Sequence, residues 1–262
     1  LVFALRAAGA TEIYRVGGAQ AIAAFTFGTE TISQVDKIVG PGNMYVNEAK
    51  RQAIGQVGID QLAGPSEIFT LADDTADPKI LAADMLAQAE HDPETRVGLI
   101  TTSHRVAEAT LREVERQLTM LATELVARAA WDKRGEIVLC RDENDMILYS
   151  DDVAAEHLQI HTANAEELSG RLRNYGSLFI GQDSSVVYSD KVSGTNHTLP
   201  TGGAARHTGG LWIGTFLKVC THQRIERSGV AKLAEYAARQ SAREGLEGHR
   251  KAAEIRVNYD VV

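Results

Sequence analysis

The chain has 262 residues, 44% hydrophobic and 24% charged, a composition typical of a globular protein with room for about two domains. A formal net charge of −8 and a pI of about 5.5 exclude the basic surface that binds nucleic acid or an anionic membrane. No apolar run approaches the roughly 20 residues of a membrane span. Cys140 and Cys220 form no CxxC pair, so we expect reduced thiols and a cytoplasmic protein.

Helical and strand patterns alternate from the beginning of the chain. The predicted helices lie at 2–8, 19–27 and 43–54, and the predicted strands at 12–16 and 37–39. This alternation is typical of a parallel sheet covered by helices. The chain starts abruptly at Leu1, within an apparent helix, and we therefore expect that a preceding segment is absent.

A second α/β unit is predicted after Gly64-Pro65. Its strands lie at 67–71, 97–101, 136–140, 157–161 and 177–180, and its helices at 78–91, 106–129, 142–148 and 165–174. After Pro200, a glycine-rich stretch leads to two helical runs at 230–243 and 246–254. The predicted fold class is α/β, with Rossmann-like parallel-sheet units at 1–65 and 66–200 and a helical C-terminal tail at 201–262. So small a tail buries little surface alone, and a partner subunit is a reasonable packing surface for it.

Glycine-rich turns follow the two predicted strands of the first unit, in VGGAQ (16–20) and GPGN (40–43). Glycine lets a ligand approach the backbone, and the exposed amides of a helix start favour an anion. VGGAQ is not GxGxxG, so the usual dinucleotide fingerprint is absent. Two such turns at strand carboxyl ends predict a shared crevice in which Asn43 could bind a ligand, although a tight turn and a helix cap are the alternatives. Ser66, at the seam between the units, is either a ligand contact or a turn residue.

Other polar side chains cluster at element ends. Gln88 and His91 leave one face of a helix end and could hold two positions of a metal, or could simply face water. Glu156 and His157 meet at a strand start, where a histidine can shuttle protons and a buried glutamate can act as a base, although a surface pair is the alternative. Asp190 and His197 lie in one polar loop, as site residues or as loop formers. Glu244 and His249 matter only if the tail reaches another subunit's cleft.

Seven motifs, in order along the whole chain, resemble the histidinol dehydrogenase family. They are GGAQAI (17–22), GPGNMYVNEAKR (40–51), AGPSE (63–67), AQAEHDP (87–93), EHL (156–158), SGTNHTLPT (193–201) and EGLEGH (244–249). The resemblance implies zinc-dependent, NAD-linked oxidation of a primary alcohol to a carboxylate through an aldehyde, by two hydride transfers. It also implies a substantial N-terminal part that precedes these motifs, in agreement with the abrupt start.

The resemblance also implies roles for individual residues. The zinc ligands would be Gln88, His91, Asp190 and, from the partner chain of a homodimer with an exchanged tail, His249. His157 would take the alcohol proton, and Glu156 would activate the water that adds to the aldehyde. Gln20 and Asn43 match cofactor-binding positions, whereas Ser66, His197 and Glu244 match substrate-binding positions. Zinc with nitrogen and oxygen ligands and no cysteine is typical of a catalytic centre.

Two features of the sequence bear on the choice of substrate. Ala155 stands where we expect a proline in enzymes that oxidise histidinol, and TGGLWIGTFLK (208–218) is similar to a paralogous branch that includes sulfopropanediol dehydrogenases. Those enzymes oxidise 2,3-dihydroxypropane-1-sulfonate, whose sulfonate Arg206 or Lys218 would meet unless both are surface charges. We favour this branch over L-histidinol oxidation in histidine biosynthesis. There are two alternatives from other functional classes. One is a metal-dependent hydrolase in which Glu156 acts on bound water, and the other is a non-catalytic ligand-binding module.

Overall fold

The computed structural model describes residues 1–258, which divide into two compact units. The first is Leu1–Phe216, and the second begins at Leu217. Parallel strands alternate with helices through the first unit, so the predicted α/β class is confirmed. The predicted boundary near Gly64-Pro65 stays a prediction. Within residues 1–258, every helix is too short or too polar to cross a bilayer.

The first 65 residues build a small two-stranded sheet. Its elements are α1 (Val2–Ala7), α2 (Gly18–Phe27), β1 (Lys37–Ile38), α3 (Met44–Ala53) and β2 (Gly58–Ile59). β1 and β2 pair in parallel over a core that includes Ile22, Ile38 and Val57. The strand predicted at 12–16 is wrong, because residues 11–17 form neither helix nor strand. A strand needs a hydrogen-bonded neighbour, and no described strand pairs with this segment.

A five-stranded parallel sheet forms the main body of the first unit. Its strands are β3 (Glu67–Ala72), β4 (Arg96–Thr101), β5 (Gly135–Leu139), β6 (His157–His161) and β7 (Ser177–Ile180), in the order β5-β4-β3-β6-β7. Its helices are α4 (Pro78–Ala89), α5 (His104–Leu118), α6 (Glu124–Arg134), α7 (Glu143–Val153), α8 (Ala165–Ser169) and α9 (Val186–Lys191). Every residue of β3 is buried, as expected for a central strand covered on both faces.

Two hydrophobic cores cover the two faces of this sheet, because successive strand residues point to opposite sides. Ile68 packs with the α4 residues Leu81 and Met85, whereas Phe69 packs with Leu158 on the other face. The single long helix predicted over 106–129 is wrong, because the helix breaks between α5 and α6. At the break, the Thr119 hydroxyl donates to the Arg116 carbonyl, a local hydrogen bond that competes with helix continuation.

The second unit contains the two helices predicted for the tail, α10 (Arg227–Arg243) and α11 (Glu247–Ile255). Gly245 joins them with a φ of 73°, in the left-handed region that glycine adopts without strain. α10 buries only Ala234 and Ser241, and α11 has no buried residue. The sparse burial agrees with the expectation that so short a helical segment covers little apolar surface by itself.

Candidate active site

A carboxyl group and an imidazole meet at the amino edge of the five-stranded sheet. Ala154, whose φ of 51° is left-handed, caps the end of α7, and three residues later the chain enters β6 at His157. Glu156 precedes the regular strand, so its side chain need not point away from that of His157. Glu156 and His157 are 6% and 4% exposed, and Glu156 Oε2 lies 3.5 Å from His157 Nδ1. The structure therefore brings the predicted acid–base pair together in a buried place.

The backbone of Glu67, at the start of β3, holds both members of the pair. Its N–H donates to Glu156 Oε2 at 2.9 Å, and its carbonyl oxygen lies 2.9 Å from His157 Nδ1. A carbonyl oxygen can only accept, so Nδ1 carries the ring proton and donates it to Glu67. The lone pair of the neutral ring then sits on Nε2. This hydrogen bond leaves His157 with one nitrogen that can take a proton from a ligand.

Burial shifts the pKa values of Glu156 and His157. Loss of solvent raises the pKa of Glu156 to about 8, and the negative charges of Glu67 and Asp190 add to this rise. The Glu67 N–H and the Ser66 hydroxyl oppose it, because they stabilise the carboxylate. Near neutral pH, Glu156 is therefore mostly a protonated acid. Its base form becomes abundant only as the pH approaches its pKa.

Burial is also the main reason why the pKa of His157 is lowered. The neighbouring imidazoles of His91 and His197 lower it further, while the Glu67 carbonyl and the Asp190 carboxylate oppose the change. His157 is thus a neutral base at pH 7. The same interactions show that His91, Asp190 and His197 lie close enough for their charges to act on the His157 ring.

Glu67 is a buried charged residue that sequence reasoning missed. Only 4% of it is exposed, and burial raises the pKa of its carboxyl group. Its Oε1 accepts a hydrogen bond from the Gly202 amide, so the glycine turn after Pro200 is tied to the site. The available signal was an acidic residue opening an otherwise apolar strand, EIFTLA (67–72). A charged side chain in a buried strand is stable only with a hydrogen-bond or ion-pair partner, so such a residue indicates a polar site in the core.

Gln88 and His91, at the end of α4, have the properties of metal ligands. The Gln88 side chain is 4% exposed and makes no hydrogen bond to any residue that the structure describes. His91 Nδ1 lies 3.1 Å from the Gln88 carbonyl oxygen and donates to it, so Nε2 is the ring nitrogen that can face a metal. A histidine anchored in this way is the usual form of a metal-binding histidine. An orphaned amide and an anchored imidazole therefore fit a zinc site.

Asp190 supplies the third candidate ligand in the first unit. It lies in the last turn of α9, its side chain is 17% exposed, and its Oδ1 is 3.7 Å from His197 Nδ1. Within residues 1–258, no group of three or more His, Cys, Asp or Glu side chains is arranged to hold a metal. The predicted set differs from such a group, because it contains the amide of Gln88 and a histidine from another chain. Asp190 and the α4 residues fit zinc as a mixed nitrogen and oxygen set.

The predicted cofactor residues occupy different surroundings. Asn43 caps α3, since its Oδ1 accepts from the Tyr45 and Val46 amides at 3.1 Å each. It also lines an open cleft of about 610 Å³, together with Gly64-Pro65 and Asp92. A cleft of this size can accept part of a cofactor. Gln20 is exposed in the first turn of α2, and the strand expected before it is absent, so the premise of a crevice between two strand ends is wrong.

The remaining candidates lie at the periphery or in the second unit. Ser66 is half-buried beside Glu67, and His197 is exposed. The Arg206 guanidinium donates to the Asp152 carbonyl and lies 3.2 Å from the Asp152 carboxylate, so this cation already has an anionic partner. Glu244, which accepts a hydrogen bond from Gln240, and the exposed His249 belong to the second unit. Their roles stay predictions.

Comparisons with known proteins converge on one family. A family model described as histidinol dehydrogenase matches residues 1–257. A "histidinol dehydrogenase homolog" from Shouchella clausii is 50% identical over 98% of this chain and 60% of its own length, and "homolog 1" from Mesorhizobium japonicum is 49% identical over 98% and 52%. A histidinol dehydrogenase from Nitrobacter winogradskyi is 44% identical over 97% and 59%.

The crystal structure of histidinol dehydrogenase from Elizabethkingia anophelis superposes with a TM-score of 0.88 at 40% identity. The match covers 98% of this chain and 59% of that one. The chain thus spans between about half and 60% of the length of the relatives that it matches.

Proposed function

Because the chain belongs to the histidinol dehydrogenase family, we propose that it forms the catalytic part of a cytoplasmic, NAD-linked and zinc-dependent dehydrogenase. The reaction oxidises a small primary alcohol to a carboxylate by two successive hydride transfers, with an aldehyde between them. The observation that carries the proposal is the pairing of Glu156 with His157, 3.5 Å apart and buried at the amino edge of the sheet. One group is a neutral base, and the other is a carboxyl group whose pKa lies near working pH.

His157 acts in the first oxidation. Hydride can leave the alcohol carbon only if the hydroxyl proton is also removed, and the free Nε2 of His157 accepts that proton. The Glu67 carbonyl holds Nδ1–H, so the ring keeps the correct tautomer and orientation through the transfer. A neutral imidazole is ready for this step at pH 7 without prior loss of a proton.

Glu156 acts in the second oxidation. Water must add to the aldehyde before the second hydride can leave, and the Glu156 carboxylate takes a proton from that water. The Glu67 amide, 2.9 Å from Oε2, stabilises the carboxylate form. Burial opposes ionisation, so this step becomes faster as the pH rises toward about 8. The carboxylate is a stronger base than an exposed glutamate for the same reason.

Zinc and NAD complete the proposed centre. Gln88, His91, Asp190 and His249 of the partner subunit would hold the zinc ion, and the dimer would exchange its helical tails. When bound, zinc supplies a Lewis acid that orients and polarises the substrate oxygen. Gln20 and Asn43 would contact NAD, whose nicotinamide accepts each hydride. The Asn43 Oδ1 is engaged as a helix cap, so the amide nitrogen is the group that it can offer to the cofactor.

We infer that the substrate is 2,3-dihydroxypropane-1-sulfonate or a similar polar alcohol, with L-histidinol as the alternative. The relatives at 50% and 49% identity carry the word "homolog" in their names, whereas a relative at 44% is named histidinol dehydrogenase itself. Ser66, His197 and Glu244 would contact the substrate. Arg206 would bind the sulfonate in place of Asp152, its present anionic partner.

The yield of NADH from a limiting amount of substrate distinguishes the sulfonate from histidinol. The complete protein, loaded with zinc and supplied with excess NAD, is given limiting sulfonate or limiting histidinol, and NADH is counted by its ultraviolet absorbance. We expect about two equivalents of NADH from the sulfonate, since each of the two oxidations transfers one hydride. Two equivalents from histidinol alone would overturn the substrate assignment, and no NADH from any alcohol would overturn the reaction.

A pair of arginine variants tests the sulfonate contact. Arg206→Ala should raise the KM for the sulfonate more than it lowers kcat, because a remote anion contact contributes mainly to binding. Arg141→Ala is the matched control, since Arg141 is also an exposed arginine paired with an aspartate, Asp145. Equal effects of the two substitutions would remove Arg206 from the substrate site.

A further inference from the structure

The helices that carry the proposed zinc ligands are joined by a buried carboxylate that the proposed reaction does not use. Asp84 lies within α4, one helical turn before Gln88, and is 9% exposed. Its surroundings are otherwise the apolar core of α4, which includes Leu81 and Met85. Burying a carboxylate among such residues is unfavourable unless hydrogen bonds replace its water. Its partners therefore indicate what the charge does there.

Each oxygen of Asp84 is bonded to a different element. Oδ2 accepts from Gln159 Nε2 at 3.0 Å, and Oδ1 accepts from the Ser185 hydroxyl at 2.9 Å. Gln159 Oε1 in turn accepts from the Thr70 hydroxyl at 3.1 Å. The chain of hydrogen bonds runs from β3 through β6 to α4, and from α4 to the first turn of α9. A carboxylate with both oxygens engaged by different elements holds those elements in one arrangement.

The register of the two elements connects this network to the catalytic edge. Gln159 and His157 lie two residues apart on β6, so both side chains face α4. Gln88 follows Asp84 by one helical turn on the same face of α4. Asp84 bonded to Gln159 therefore sets the rotation of α4 against β6. That rotation decides where Gln88 and the following His91 come to lie relative to His157.

The hydrogen bond between Ser185 and Asp84 also affects the position of Asp190. Ser185 is the N-cap of α9, and Asp190 lies five positions later in this six-residue helix. The first residue of this helix, Val186, is buried in the same core as Leu81 and Met85, so α9 is fixed against α4 at the end that Ser185 caps. Asp84 is thus hydrogen-bonded to the N-cap of the helix that contains Asp190, while its own helix contains Gln88 and ends two residues before His91.

We propose that Asp84 is the positioning residue that brings Gln88, His91 and Asp190 into one metal site. It acts through the hydrogen bonds to Gln159 and Ser185 and does not touch the metal. The inference rests on the proposed function, because it requires that these three side chains bind zinc. It adds that the hydrogen bonds of a residue that does not itself bind the metal determine zinc affinity.

Zinc affinity tests this role without relying on catalysis. The complete protein and its variants compete with a chromogenic chelator for Zn²⁺, and Co²⁺ is bound separately so that its visible spectrum reports ligand geometry. Asp84→Leu should weaken zinc binding by about 10- to 100-fold, as loss of supporting hydrogen bonds does at other sites. It should also change the Co²⁺ spectrum. Ser185→Ala should produce a smaller loss, since it frees only α9.

Two further variants separate positioning from general damage. Asp84→Asn keeps an acceptor for Gln159 and a donor for the Ser185 oxygen, so its zinc affinity should fall by less than about tenfold. Thr110→Val is the control for change inside the same core, because the Thr110 hydroxyl is buried with no hydrogen-bond partner among residues 1–258. It should leave zinc binding unchanged.

The outcomes are distinct. Asp84→Leu with unchanged zinc affinity and an unchanged Co²⁺ spectrum would overturn the positioning role while leaving the proposed function in place. Equal losses in Asp84→Asn and Asp84→Leu would also overturn it, because the charge and not the hydrogen bonds would then be responsible. An unmodified protein that binds no zinc would refute the proposed metal centre itself.

Discussion

The raised pKa of Glu156 makes a quantitative prediction about the second oxidation. With a pKa of about 8, about a tenth of Glu156 is ionised at pH 7 and about nine tenths at pH 9. If the carboxylate form activates water, the rate of aldehyde oxidation should rise roughly tenfold across this interval. The direction follows from the raised pKa, since the active base is present above it and lost below it. His157, whose pKa is lowered, is already neutral at pH 7 and should contribute no such rise.

The two oxidations can be measured separately in single-turnover experiments with the alcohol or the aldehyde as the starting substrate. Glu156→Gln should remove the pH-dependent rise and slow aldehyde oxidation at pH 9 by about 10²- to 10⁴-fold, the usual contribution of a general base. Glu136→Gln provides a control, since Glu136 is a half-buried glutamate of the same sheet that pairs with Arg96 on β4. A flat rate with aldehyde between pH 7 and pH 9, or a rise that survives in Glu156→Gln, would refute the assignment.

Three stability predictions can be checked by urea unfolding. His161→Leu should stabilise the protein by about 1–3 kcal/mol, because both ring nitrogens of this buried histidine lack a hydrogen-bond partner within the described chain. The gain should be larger at pH 5 than at pH 7.5, since burial lowers the pKa of His161 and only the unfolded ring is readily protonated below about 6.5. An equal gain at both pH values would contradict this. Gly98→Ala should destabilise by about 1–3 kcal/mol, because its Cβ would lie 2.2 Å from a buried phenyl ring, whereas Gly229→Ala, with open space in α10, should stabilise slightly; similar effects of the two would show that the crowding is unimportant. Lys50→Met should destabilise by about 3–5 kcal/mol, because it leaves the buried Asp60 carboxylate, 2.6 Å away, without its counter-ion, and the additional change Asp60→Asn should recover part of the loss unless the charge pair is irrelevant.

Local sequence patterns predicted most elements of the five-stranded sheet. β6 lies at the predicted positions, because Leu158 and Ile160 alternate with polar residues in the way a strand requires. α4 begins at Pro78 after the Asp77 cap, whose carboxylate accepts from the Lys79 amide at 2.8 Å. The failures fall where a local pattern has no partner or is interrupted. The segment 12–16 has strand-forming residues but no neighbouring strand among residues 1–258. The break at Thr119 depends on a turn that helical periodicity does not show.

The sequence predicted which residues belong to the candidate site, but not the hydrogen-bond partners and burial that those residues have in the fold. Motif order along the chain pointed to Gln88, His91, Glu156, His157 and Asp190. It did not show that Glu67, the first residue of β3, holds both Glu156 and His157 through its backbone. Nor did it single out Asp84, since a single acidic residue in a helical pattern more often faces solvent.

The sequence by itself determined the family, the α/β class and the side chains available at each element end, because these follow from neighbours within a few residues. Only the tertiary structure decided which ends meet. Glu67 and Glu156 are 89 positions apart, and they are joined because the strand order places β6 beside β3. Burial at that junction then raises the pKa of Glu156 and lowers that of His157. A pKa of this kind depends on desolvation by residues distant in the chain, so no local pattern encodes it.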